Sequence, residues 1–149
     1  MRELDRVGQP YEAHWFDCPE ALSGVEVANL LGQDPDRVFK TLVTVGKSGE
    51  HYVFMIPVAL ELDLKKAAQV VGEKSVVMVK SKELLGLTGY VHGGCSPLGM
   101  KKRFVTTIDE TAVLYDSIMF SGGRIGCQIQ TSLASLRAAL PVGEADLTV

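Results

Sequence analysis

Apolar positions along the 149-residue chain recur with two periods, and these divide it into short helices and short strands. Val27, Leu30 and Leu31 make a helical stripe over residues 23–31. Ser23, followed three residues later by Glu26, gives that helix a capping box, and Gly32 supplies its stop. Phe39 to Val45 and His51 to Val58 are rich in β-branched and aromatic residues and flank the turn Gly46–Glu50, the pattern of a hairpin. Leu64, Ala67, Ala68 and Val71 then recur at i, i+3, i+4 and i+7 behind a capping Asp63, which predicts a helix ending at Gly72. Val76 to Val79 reads as a short buried strand and Ser81 to Leu85 as a helical turn. Phe104–Ile108, Tyr115–Phe120 and Ile125–Ile129 read as strands, and Asp109-Glu110 as a turn or short helix start. Thr131 opens a last helix carrying Leu133, Leu136 and Leu140, stopped by Pro141, beyond which the tail from Gly143 is expected to fray. Residues 1–22 read as an extended aromatic arm with Tyr11, Trp15 and Phe16, broken by Pro10 and Pro19, with a short strand near Ala13 and Trp15.

Helices and strands mix irregularly instead of alternating, so the expected class is α+β: one compact domain over residues 1–149, built on a mixed sheet with flanking helices. Composition adds little to this, since 46% hydrophobic and 22% charged residues are ordinary globular values. No apolar run approaches the ~18 residues of a membrane span, and the charged start Met1–Arg6 does not read as a signal peptide, so a cytoplasmic protein without a membrane partner is expected. Cys18, Cys95 and Cys127 show no Cys-x-x-Cys spacing, and His14, His51 and His92 are isolated. No metal and no cofactor are expected. A net charge of −3 argues against binding nucleic acid by bulk electrostatics. It leaves Lys65-Lys66, Lys80 with Lys82, and Lys101-Lys102-Arg103 as local basic clusters, each read first as solvated surface.

The chemistry-bearing stretch is Gly89 to Gly99, Gly-Tyr-Val-His-Gly-Gly-Cys-Ser-Pro-Leu-Gly. Adjacent glycines let a backbone reach positive φ and aim amide N–H groups at an oxygen, a nest suited to a phosphate or a polarised carbonyl. Ser96 lacks the Gly-x-Ser-x-Gly setting of a hydrolase elbow, and nothing around Cys95 marks an activated thiol. Lys40 stands on an otherwise apolar strand face with Leu42 and Thr44, where a snorkelling edge-strand lysine is the plain alternative.

Four segments, Val38-Phe39-Lys40-Thr41-Leu42, Leu62-Asp63-Leu64-Lys65-Lys66, Thr88 to Gly99, and Ser121-Gly122-Gly123-Arg124, together resemble the YbaK/prolyl-tRNA synthetase editing-domain superfamily, most of all its free-standing YbaK members. The resemblance runs from about Tyr11 to Leu140 and implies a mixed, partly barrel-like sheet. It also implies an enzyme that cleaves the ester joining a wrongly attached amino acid to the 3′ end of a tRNA, with Cys-tRNA(Pro) as the favoured substrate. In that light Lys40 matches the central lysine that orients the terminal adenosine and carbonyl, and Gly93 matches the residue whose amide holds the aminoacyl carbonyl, with Gly94 beside it as a further donor. Thr41, Cys95, Ser96, Pro97, Ser121, Gln128 and Phe16 are the expected substrate contacts. Two positions depart from the family pattern: Gln128 stands where an aspartate is usual, and Phe16 where a tyrosine is common. An aminoacyl ester is already activated and needs positioning and oxyanion donors more than a strong nucleophile. For a cysteinyl substrate the family mechanism uses the substrate's own thiol; for others a positioned water would attack. Ala-tRNA(Pro) or another small aminoacyl-tRNA is the alternative substrate, and a non-catalytic tRNA- or synthetase-binding module the alternative class. Prolyl-tRNA synthetase is the candidate partner that would lend affinity for tRNA.

Overall fold

The hairpin of β2 (Phe39–Gly46) and β3 (His51–Pro57) is the centre of the larger sheet in the computed structural model, which describes residues 2–17 and 22–149. Cys18 and Pro19 of the aromatic arm lie outside the described residues. The hairpin register pairs Lys40 with Ile56 and Thr44 with Tyr52, and the Gly46 N–H closes the turn on the Glu50 carbonyl at 2.8 Å. β4 (Val76–Met78) lies antiparallel on the far side of β2. On the other side, β3 runs parallel to β5 (Val105–Asp109), and β5 runs parallel to β8 (Gly143–Ala145), giving the order β4-β2-β3-β5-β8. A second sheet of β1 (Glu12–Trp15), β7 (Cys127–Thr131) and β6 (Ile118–Ser121), in the order β1-β7-β6, is antiparallel throughout. A parallel bridge between Val38 and Met119 joins the two sheets, so the assembly curves toward a barrel without closing.

The helices follow their caps. The capping box at Ser23 and Glu26 opens α2 (Gly24–Leu30), and the Asp63 carboxylate accepts from the Lys65 and Lys66 N–H groups to open α3 (Leu64–Val71). Gly72 ends α3 in the left-handed conformation. α4 (Ser81–Thr88) is longer than its apolar pattern predicts, because Gly89 supplies the same left-handed cap. α5 (Leu133–Ala139) is capped by Ser132, one residue after the expected Thr131. The main core packs Phe39, Met55, Ile108, Phe120, Ile129 and Leu136 between the two sheets and α5.

Three expectations fail, each for a tertiary reason. Residues 2–6 form a short helix, α1 (Arg2–Arg6), because burying Leu4 in the main core fixes a turn that local pattern leaves open. β4 is an edge strand, not a buried one: Val76 is covered but Val77 is 55% exposed. The C-terminal tail does not fray. It forms β8, and Leu147 is wholly buried, its N–H donating to Asp109 Oδ1 at 2.9 Å while its carbonyl accepts from Asp63.

Candidate functional site

A cavity of about 320 Å³ opens where β2 changes neighbours. β2 is bridged to β6 at Val38 and paired with β4 only from Thr44, so the two sheets part around Lys40–Leu42. The glycine loop closes the gap from one side, and Ser121 and Gln128, directly opposite each other on β6 and β7, from another. Lys40, Thr41, Gly93, Cys95, Ser121 and Gln128 therefore meet in one space although they span most of the chain.

Lys40 stands on an interior strand, flanked by β3 and the open cleft, and is not an edge-strand lysine. Burial of its ammonium lowers its pKa from the usual lysine range, and the Glu61 carboxylate acts in the opposite direction. Lys40 is the one lysine or arginine among the lining residues, which also include the exposed His92. Two buried polar atoms on this wall, Thr41 Oγ1 and Gln128 Oε1, have no hydrogen-bond partner among the described residues. Such orphans in a cleft are what a ligand with its own polar groups would satisfy. Ser121 Oγ, by contrast, accepts from the Gly123 N–H at 3.2 Å, which fixes the second glycine turn beside the cavity.

The two loop glycines do different work. The Gly94 N–H donates to the Val91 carbonyl at 3.0 Å and closes a turn whose third residue, Gly93, has φ 88°, the signature of a type II turn. Gly94 thus spends its amide on the loop itself, which corrects the expectation of two adjacent oxyanion donors. The Gly93 N–H has no partner among the described residues and remains the donor at the cavity wall. Gly94 contributes through its size: a β-carbon there would sit 3.2 Å from the Ile125 nitrogen.

Cys95 lines the cavity but is buried, and burial pushes its thiol up to about 11. A thiol in that state is a weak nucleophile at neutral pH. Ser96 and Pro97 turn away from this space. Ser96 is buried with Oγ accepting from the Leu98 N–H, and Pro97 lines a separate cleft of about 180 Å³ with Arg6, Lys102 and Phe104. Phe16 is not part of the lining either; its N–H pairs with the Gly126 carbonyl at 2.9 Å. None of the three lines this cavity. Sequence reasoning missed His92, Leu42, Leu84, Val58 and the start of α2 at Ser23–Gly24 as lining residues. His92 had a signal in its place next to Gly93. Gly24 had none, since its need arises from Val58, whose side chain would overlap any β-carbon at that position.

Among the described residues, no three His, Cys, Asp or Glu side chains converge as a metal site, and no helix is long and apolar enough to cross a membrane.

A lysine, a glycine turn and a serine–glutamine pair thus line a cleft between two joined sheets. The family model of the aminoacyl-tRNA editing domain matches residues 18–139, and the chain belongs to that family. It is 46% identical, over 131 residues covering 87% of this chain and 80% of the relative, to an Enterococcus faecalis protein provisionally named Cys-tRNA(Pro)/Cys-tRNA(Cys) deacylase EbsC. A 91-residue stretch is 32% identical to part of a proline–tRNA ligase of Pelobacter propionicus, covering 61% of this chain and 16% of that enzyme. The structure is also similar to the crystal structure of a provisionally assigned trans-editing enzyme for prolyl-tRNA synthetase. There the TM-score is 0.88 and the identity 26%, over 99% of this chain and 93% of that one.

Proposed function

We propose that this protein is a trans-editing aminoacyl-tRNA deacylase that acts on Cys-tRNA(Pro). The observation that carries the reading is that a half-buried Lys40 and a Gly93 amide without a partner among the described residues line one cavity, in which the Cys95 thiol is held neutral by burial. A site of this kind suits an ester that brings its own reactivity. Lys40 holds the 3′-terminal ribose and its phosphate as a fixed cation, and the Gly93 N–H donates to the ester carbonyl as negative charge develops on it. The thiol sulfur of the cysteinyl group attacks its own carbonyl carbon. The C–S bond forms, the C–O bond to the ribose breaks, and the thiol proton ends on the released ribose oxygen. Water then opens the small thiolactone to free cysteine.

The names of the relatives support the substrate, and the Cys95 thiol, held neutral, supports the absence of an enzymic nucleophile. Alanyl ester is the second substrate, because Gln128 gives the pocket a neutral amide and the cavity has room for either side chain. A cytoplasmic location and prolyl-tRNA synthetase as the partner that presents the tRNA belong to the same proposal, the latter suggested by the stretch shared with a proline–tRNA ligase. Parallel deacylation of Cys-tRNA(Pro) and Ala-tRNA(Pro) tests the reading, with Lys40→Ala as the control. Rapid loss of the cysteinyl ester, slowed about a hundredfold or more by the substitution, is expected. Cleavage of neither ester above the rate in buffer would refute it.

A further inference from the structure

The cavity touches Val38 and the first four residues of β2, Phe39 to Leu42, five in a row along an extended run. Successive strand residues face opposite sides of a sheet, so a space that meets five in a row meets the strand on its edge. That edge has a gap one residue long. Val38 and Gly46 each bond to the β3 side, the Val38 carbonyl accepting from the Val58 N–H and the Gly46 N–H donating to the Glu50 carbonyl. In an antiparallel ladder the bonded residues alternate, so Lys40, Leu42 and Thr44 also turn their main-chain groups toward β3, while Phe39, Thr41, Val43 and Val45 turn theirs away. On that outer edge Val43 accepts from the Val79 N–H at 3.1 Å, Val45 pairs with Val77, and Val38 bridges Met119 beside Phe39. Thr41 is the position left over. Continuing the β4 register would set Thr41 against Ser81, but there the chain has already turned into α4. Among the described residues no strand stands in register with Thr41 on that edge, and its Oγ1 is a buried orphan as well.

We propose that this one-residue gap is the subsite for the aminoacyl group itself, which adds to β2 as a strand of a single residue. An aminoacyl ester carries one N–H-bearing α-nitrogen and one carbonyl, and in an extended conformation both face the same way. This is the complement of one outward-facing residue in an antiparallel pair. The Thr41 carbonyl accepts from the substrate α-amine, and the Thr41 N–H donates to the ester carbonyl. That supplies the second main-chain donor which Gly94 does not. Recognition through the backbone is blind to the side chain, so it serves cysteinyl and alanyl esters alike, and it holds the α-nitrogen without a carboxylate, which the described lining lacks. The inference rests on the deacylase reading of this cavity.

Amide hydrogen exchange of the labelled full chain tests it, with 3′-(L-alanylamino)-3′-deoxyadenosine, in which an amide replaces the labile ester, and with adenosine alone. In the free protein the Thr41 N–H should exchange about a hundredfold faster than that of Leu42, which is bonded to β3. Saturating aminoacyl analogue should slow the Thr41 amide about tenfold or more, and adenosine should leave it unchanged. A Thr41 amide already as protected as Leu42, one unmoved by the analogue, or one protected equally by adenosine each overturns the inference. If wild-type protein cleaves the cysteinyl ester while the Thr41 amide stays unmoved, only the inference falls. If it cleaves neither ester, the reading beneath it falls too.

Discussion

Gly94 and Ile125 hold the two glycine turns of the site together: the loop after α4 lies so close to the Arg124–Ile125 peptide that a methyl group would fit only if that peptide gave way by a few tenths of an ångström. A β-carbon at Gly94 would stand 3.2 Å from the Ile125 nitrogen and 3.3 Å from the Arg124 Cα, and backbone on both sides cannot swing away as a side-chain tip can. Gly94→Ala should therefore push the Gly93 amide away from β6 and β7, costing about 1–3 kcal/mol in stability and a larger share of the deacylation rate. Gly86→Ala is the matched control. Gly86 lies inside α4 with nothing within 4 Å of a built β-carbon, so alanine there should stabilise by about 0.5–1 kcal/mol. Denaturant melts and ester-cleavage rates of both variants check this; similar melts for the two would remove the packing argument.

Cys95 should be silent toward thiol reagents at the pH where the protein works. Burial raises its pKa to about 11, so at pH 8 only about a thousandth of it is thiolate. The neutral form is stable below that value, and reactivity rises only as the pH climbs toward 11. Native protein treated with iodoacetamide at pH 8 should keep Cys95 unmodified by peptide mass mapping, and unfolded protein should not. Rapid alkylation in the native state, with loss of ester cleavage, would restore Cys95 as a nucleophile.

The expected residues did not all reach the site, and the reasons are geometric. The structure brings Lys40, Thr41, Gly93, Cys95, Ser121 and Gln128 to one cavity, and each belongs to a strand or turn whose local shape the sequence pattern predicts. Ser96 and Pro97 share the same motif, yet the turn at Gly93 points them into the protein and toward the other cleft. No one-dimensional pattern reports which side of a turn faces a cavity. The β2 fork was equally hidden, because it depends on where β6 and β4, some forty residues apart in the chain, each stop pairing. The tail from Gly143 looks like a frayed end by composition, and only its partner strand β5 makes it ordered.

Gln128 should prove to be a site residue that contributes little to the fold. Among the described residues its Oε1 is buried without a partner, so the folded state already carries the cost of desolvating it. Gln128→Leu keeps the volume and removes the orphan, and the melting temperature should hold or rise. Ester cleavage should nevertheless fall by about tenfold, the value of roughly one hydrogen bond to substrate. Thermal melts beside KM and kcat decide the matter, and a lost fold with unchanged kcat/KM in the surviving fraction would reverse the assignment.

Asp109 is the opposite case, a buried carboxylate whose whole role is architectural. It is 1% exposed at the end of β5, with Oδ2 accepting from Thr111 Oγ1 at 2.7 Å and Oδ1 accepting from the Leu147 N–H at 2.9 Å. Leu147 in turn accepts from the Asp63 N–H at 2.7 Å, next to the cap of α3, and the Val149 N–H reaches the Glu61 carbonyl at 3.1 Å. The chain of bonds thus runs from the sheet through the tail to Glu61, the carboxylate whose field acts on Lys40. Asp109→Ala strands the buried Leu147 N–H and should cost about 3 kcal/mol, with the tail amides losing their exchange protection first. Lys66→Ala breaks the exposed pair with Asp146, 2.9 Å apart, and the ion pair itself should account for less than about 1 kcal/mol. If the two variants unfold at the same denaturant concentration, Asp109 is not the anchor of the tail. If Asp109→Ala melts early while β8 stays protected, the tail is held by its strand pairing with β5 alone.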